Sequence, residues 1–159
     1  AEAVEEMREQ GVRPTHVFLQ AGVGSMAAAV AAYLTNVFKD CPPKFVIVEA
    51  EAADCLHKTL AAQDGKIHIA EGDLATMMAG LACGEPCRTA LSMLEETAEN
   101  FVTITDRVSV RAMRMLGNPL PGDDRVVSGE SGASGVRGLR GARAERSSQR
   151  VAGDGGVGR

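Results

Sequence analysis

The segment Ala21-Gly22-Val23-Gly24-Ser25-Met26-Ala27 constrains the chain more than any other. It lies between a short apolar run, His16-Val17-Phe18-Leu19, and an Ala-rich stretch, Met26–Phe38. Strand, glycine turn, helix is the arrangement this order predicts. Gly22 and Gly24 allow tight backbone angles and the close approach of an anion. The N–H groups of the loop and the first helical turn would point at that anion, and the helix dipole adds partial positive charge. Ser25 can donate from its hydroxyl. The expected ligand is a cofactor bearing phosphate.

Two cofactor classes fit this loop. Gly22-Val23-Gly24-Ser25-Met26-Ala27 satisfies the GxGxxG/A pattern of a dinucleotide site. A second apolar strand, Lys44–Glu49, ends in an acid placed 27 residues after Gly22, where a ribose-binding carboxylate would stand. An NAD(P)-binding domain of an oxidoreductase is therefore one reading. The other is pyridoxal phosphate, whose single phosphate needs only one such loop.

Periodicity extends the pattern on both sides. Ala1–Gln10 reads as a charged helix stopped by Gly11 and Pro14. Ala52–Ala62 reads as a helix closed by Asp64-Gly65, and Lys66–Ile69 as a short extended piece. Asp73 caps a turn into Ala75–Ala79, and the loop Gly80–Pro86 follows. Arg88–Asn100 reads as a helix and Phe101–Thr105 as a strand. Asp106 caps a helix over Arg107–Leu116, and Arg125–Ser128 reads as a last strand. The apolar residues of Lys44–Glu49 are consecutive rather than alternating, as in strands covered on both faces. The fold class expected is α/β, an open and mainly parallel sheet with helices on both faces. Ligands in such sheets sit at the carboxyl ends of strands. Three glycine-bearing loops, Gly22–Ser25, Gly80–Glu85 and Gly129–Ala133, are candidates to converge there.

The 159 residues suffice for one domain with a sizeable core. Aromatic residues are 3%, so that core rests on Ala, Val, Leu, Ile and Met. The longest apolar run, Met26–Leu34, has nine residues, too short to span a bilayer. No charged-then-apolar leader opens the chain. Ala1 falls within an apparent helix, which points to missing upstream sequence. The formal charge of −4 divides into −8 over residues 1–134 and +4 over residues 135–159. An acidic body argues against a nucleic-acid surface. Cys41, Cys55, Cys83 and Cys87 match neither a metal motif nor a disulfide framework, and they read as free thiols of a cytoplasmic protein. His16, His57 and His68 are scattered and read as structural, so no metal is expected.

Two segments are expected: residues 1–134 as the cofactor-binding domain, in partial form, and residues 135–159 as a Gly/Arg-rich tail. The tail carries seven Gly and six Arg in 25 residues, without helical or strand period. Its composition changes abruptly after a motif that should feed a helix. It reads as disordered or as the product of a shifted reading frame.

The longer runs separate the two cofactor readings. They are Val48–Leu56, Gly72–Pro86, Pro119-Leu120-Pro121-Gly122 and Ser128-Gly129-Glu130-Ser131-Gly132-Ala133. With Ala21–Ala27 they resemble the diaminopropionate ammonia-lyases, within the tryptophan-synthase-β-like (fold type II) pyridoxal phosphate family. The likeness extends from about Pro14 to Gly135. The resemblance implies that Gly22, Val23, Gly24, Ser25 and Met26 hold the cofactor phosphate. It places Gly80, in the Gly80–Pro86 loop, beside the ring, and Glu130 at the closing edge of the pocket. Asp54, Asp73 and Glu85 are read as caps and loop anchors. The implied reaction is an α,β-elimination that converts 2,3-diaminopropionate and water to pyruvate and two ammonia. The partners implied are a small amino-acid substrate and, for the full-length enzyme, a second copy in a homodimer, with no nucleic acid and no membrane. Lys39, Lys44, Lys58 and Lys66 are the only lysines, and none matches the family's Schiff-base lysine. That lysine and the catalytic base are expected upstream, so no catalytic residue is assigned within this chain.

Overall fold

A computed structural model describes residues 2–136. Most of the proposed tail lies outside the described residues. The elements run α1 (Glu2–Glu9), β1 (His16–Gln20), α2 (Ser25–Val37), β2 (Lys44–Ala50), α3 (Cys55–Ala62), α4 (Arg88–Thr97), β3 (Ala98–Ile104) and α5 (Asp106–Gly117). Short 3-10 turns occupy Glu51–Ala53 and Ala79–Leu81, and residues 130–136 are helical. The three strands form one parallel sheet in the order β1-β2-β3. The open parallel α/β arrangement expected from the sequence is the one observed.

The central strand explains the consecutive apolar run. Side chains alternate across a strand, so β2 sends Phe45, Ile47 and Glu49 to one face and Val46, Val48 and Ala50 to the other. Phe45 and Ile47 join the larger core with Ala27, Ala28 and Ala31 of α2, Leu56 of α3, and Leu91 and Leu94 of α4. Val48 and Ala50 join the smaller core with Met78, Leu81 and Ile104, against which Val108 of α5 packs. Burial on both faces accounts for β2 being buried from Phe45 to Ala50. Small Ala side chains on α2 let that helix lie close to α4.

Three local readings are corrected. The helix beginning at Arg88 ends at Thr97, and Ala98 already pairs with Phe45 of β2, so β3 takes over three residues that carry no loop signal. Arg125–Ser128 is not a strand. Val127 is 85% exposed, and the segment makes one backbone bond, Val126 N–H to the Leu116 carbonyl at 3.0 Å. β-branched residues without a neighbouring strand do not make a ladder. Lys66–Ile69, expected only as a short extended piece, pairs with no strand among the described residues.

Asp106 does not cap α5 from outside. Thr105 is the N-cap, and Asp106 is the first helical residue. Its carboxylate reaches across to the loop before Ala79, accepting from the Thr76 hydroxyl and from the Met77 N–H at 3.0 Å. A carboxylate in a first helical turn also complements the helix dipole. Asp106→Ala should therefore lower stability by about 1–2 kcal/mol. Urea unfolding gives that value, and a change below ~0.5 kcal/mol would contradict the tether.

Candidate functional site: a phosphate cradle at the strand ends

The three glycine loops meet at the carboxyl end of β1. They line a cleft of about 410 Å³, bounded by Gln20–Ala27 from the first loop, Gly80, Leu81 and Cys83 from the second, and Ser131 from the third. The Ser131 hydroxyl accepts the Gly80 N–H at 3.1 Å, which couples the second loop to the third. Ser131 is held in turn by Ser134, whose hydroxyl donates to the Ser131 carbonyl at 2.7 Å.

The cradle requires its glycines. Gly24 has φ +94°, a conformation that costs any residue with a Cβ. It is also the N-cap of α2, and no side chain caps that helix. The N–H groups of the first turn of α2 thus face the cleft without a protein side chain to receive them. At Gly22 an added Cβ would stand 2.8 Å from Cys83 Sγ and 3.3 Å from the Gly80 carbonyl. A Cβ at Gly22 would press on the second loop and one at Gly24 on Leu94 and Leu56 of the core, so substitution at either position displaces the turn that forms the cradle.

Neighbouring elements fix the loop. The Ala21 N–H donates to the Val48 carbonyl at 2.9 Å, continuing the sheet into the loop. The Cys87 N–H donates to the Val23 carbonyl at 2.9 Å, tying the start of α4 to the start of α2. Hydrogen bonding to the Ala90 backbone, and then to Ser25, lowers the pKa of the Cys87 thiol. Cys55 behaves in the opposite way. It is fully buried, and burial followed by the nearby Glu49 charge pushes its thiol up to about 12.

Glu49 is not a ribose-binding acid. It is fully buried, and both its oxygens are engaged: Oε1 accepts the Leu56 N–H at 2.9 Å and Oε2 the His57 N–H at 2.7 Å. It serves the amino end of α3, the place the sequence suggests for Asp54. Asp54 instead pairs with Lys58 at 3.1 Å. This removes the residue on which the dinucleotide reading depended.

Of the residues singled out from sequence, Gly22, Val23, Gly24, Ser25, Met26 and Gly80 all line the cleft. Glu130 does not. Its carbonyl accepts the Ser109 hydroxyl at 2.6 Å, and its neighbour Ser131 supplies the lining atom. Gln20, Cys83 and Ser131 were missed. The Gly129–Ala133 loop is expected to converge on the site, but nothing in its composition ranks Ser131 above Glu130. Asp73 is a loop anchor as expected, accepting the Ala75 N–H at 3.0 Å. No lysine lines the cleft. Lys44 begins β2, at the opposite end of the sheet, and pairs with Glu99 at 2.8 Å. Lys58 is held by Asp54.

The family described as "Pyridoxal-phosphate dependent enzyme" matches residues 1–154. The chain belongs to that family. Among curated family members it is 49% identical over 130 residues to the diaminopropionate ammonia-lyase of Escherichia coli (strain K12), covering 82% of this chain and 32% of that protein. It is 40% identical over 132 residues to the diaminopropionate ammonia-lyase of Salmonella typhimurium, covering 82% of this chain and 33% of that protein. The fold agrees with the crystal structure of the E. coli enzyme in complex with an aminoacrylate-PLP azomethine reaction intermediate. There the TM-score is 0.78 at 47% identity, over 87% of this chain and 34% of that one. The chain spans about a third of the length of the family members it matches. The cradle suits the family's cofactor, because its donors are backbone amides at a helix amino end and its turn is built on glycines with no room for a Cβ.

Proposed function

We propose that this chain is the phosphate-anchoring part of a diaminopropionate ammonia-lyase. The observation that carries the reading is the uncapped amino end of α2 at Gly24, enclosed with Gly80 and Ser131 in one cleft. Identity of 49% to an enzyme of that name supports the choice of reaction.

In this reading Gly22, Val23, Gly24, Ser25 and Met26 hold the phosphate of pyridoxal phosphate, with Gly80 near the ring. Glu130 helps close the pocket through its backbone. Bound pyridoxal phosphate supplies an electron sink that acidifies the substrate Cα–H bond. The complete enzyme uses it to eliminate the β-amino group of 2,3-diaminopropionate, giving pyruvate and two ammonia. The Schiff-base lysine and the base lie outside this chain, so the chain alone is inactive. The complete enzyme works as a homodimer in amino-acid catabolism. The free thiols of Cys41, Cys55, Cys83 and Cys87 suit the reducing cytoplasm. Among the described residues no helix is long and apolar enough to cross a membrane.

Titration of the chain with pyridoxal phosphate, followed by phosphorus NMR, tests the reading. Saturable binding through the phosphate is expected, with inorganic phosphate competing. Borohydride reduction followed by mass spectrometry should find no single lysine labelled stoichiometrically. Stoichiometric labelling of one lysine would place the reactive end within this chain, and saturable NADH binding without pyridoxal phosphate binding would overturn the assignment.

A further inference from the structure

We propose that Glu49 is a positioning residue for the phosphate loop, pinning the first turn of α3 against Gly22 and Gly24. The inference rests on the cofactor reading above for its functional meaning, and on the geometry around Glu49 for its substance.

Glu49 lies at the end of the central strand, one residue beyond Val48, whose carbonyl receives the Ala21 N–H. Its carboxylate accepts two N–H groups of the first turn of α3, those of Leu56 and His57. The two residues at that turn carry the contact onward. Cys55 donates its thiol to the Gly22 carbonyl at 3.8 Å. Leu56, fully buried, places both its methyl groups 3.3 Å from where a Gly24 Cβ would stand. A shift of the first turn of α3 therefore reaches both loop glycines. β2 holds the loop from the backbone side, and α3 holds it from beneath.

The choice of a carboxylate follows from this task. Two converging N–H donors need two acceptors on one side chain. Glutamate has both, whereas glutamine has one and turns an NH₂ toward the second donor. A buried carboxylate is costly for folding alone. Asp54, nearer to the helix, is paired with Lys58 and does not take the cap.

The test uses the 159-residue chain at about pH 8, above the raised pKa of Glu49, where its side chain is a carboxylate. Glu49→Gln is compared with Thr59→Val, which removes a pair of bonds elsewhere on α3: the Thr59 hydroxyl donates to the His68 carbonyl at 3.1 Å and accepts the His68 N–H at 3.0 Å. The readouts are the dissociation constant for pyridoxal phosphate and amide hydrogen exchange at Gly24 and Ser25 without ligand. Glu49→Gln should weaken binding about tenfold and speed that exchange about tenfold. Thr59→Val should leave both within about twofold. Equal shifts in the two variants would reduce Glu49 to a general stabiliser of α3 and overturn the proposal, as would no shift in Glu49→Gln. Should Glu49→Gln not fold, Glu49→Asp keeps the charge and shortens the reach, and it carries the same expectation. If the unaltered chain binds no pyridoxal phosphate, the cofactor reading fails, while the exchange rates still decide whether Glu49 holds the loop.

Discussion

Gly24→Ala should destabilise the chain by about 2–5 kcal/mol and abolish phosphate binding in the cleft. Two costs add. The first is conformational: φ at Gly24 is +94°, and a Cβ there meets its own backbone at about 1–2 kcal/mol. The second is packing. The new methyl would stand 3.2 Å from Leu94 Cδ1 and 3.3 Å from both methyls of Leu56. Both leucines are fully buried, so neither can swing aside without disturbing the core between α3 and α4. Over-packing of this kind costs about 1–3 kcal/mol. Relief would come by tilting the amino end of α2, which carries the amides that form the cradle. Gly65→Ala separates the two costs, because Gly65 has φ +70° but no atom within 4 Å of the added Cβ. It should show the conformational cost alone and leave phosphate binding intact. Urea unfolding and phosphorus NMR of both variants provide the check. Equal stability losses would refute the packing argument, and phosphate binding retained in Gly24→Ala would refute the cradle.

Stability should fall by about 3 kcal/mol as pH rises from about 4.5 to about 7, through Glu49 alone. Burial, opposed by the N–H groups of Leu56 and His57, moves this carboxyl from 4.5 up to about 7, with the nearby Asp54 charge adding to the rise. A raised folded pKa means that the folded chain holds the proton where the unfolded chain has lost it. The stabilisation is complete below the unfolded value and disappears as pH climbs through the folded one. Asp64 has the opposite sign. Hydrogen bonds from the Lys66 N–H and from His68 lower its pKa, so its contribution is lost only at pH below this window. Urea unfolding at about pH 5 and about pH 7.5 measures the effect, and Glu49→Gln should flatten the slope. Stability that stays level or rises across this window would contradict the buried, ionising Glu49.

Much of the fold was legible because its signals are local. The run Phe45–Val48 announces a strand covered on both faces, and Gly22-x-Gly24 before an Ala-rich stretch announces a strand–turn–helix unit. The alternation of such units implies a parallel sheet. Misreadings occurred where a distant partner decides the outcome. Ala98–Asn100 continue a helical pattern by composition and become strand because β2 offers an edge to pair with. Val126-Val127 look like a strand and are not, because no edge faces them.

The candidate site divides in the same way. Gly22, Gly24 and Gly80 could be named in advance as cleft residues, since glycine turns that follow elements of a parallel sheet fall at the strand ends. Glu49 could not. A carboxylate at the end of a strand looks the same in sequence whether it faces a ribose or turns inward to the amides of α3. Ser131 and Cys83 enter the cleft only because loops far apart in the chain fold onto the same strand ends.

The sequence alone thus determined the local units, the glycine turn at the strand ends and the family likeness, all carried by neighbours along the chain. Tertiary structure decided which acid is spent on α3, which residue of the third loop reaches the cleft, and that no lysine lines the cleft. Those outcomes depend on which elements pack together, and packing selects among side chains that sequence spacing leaves equivalent.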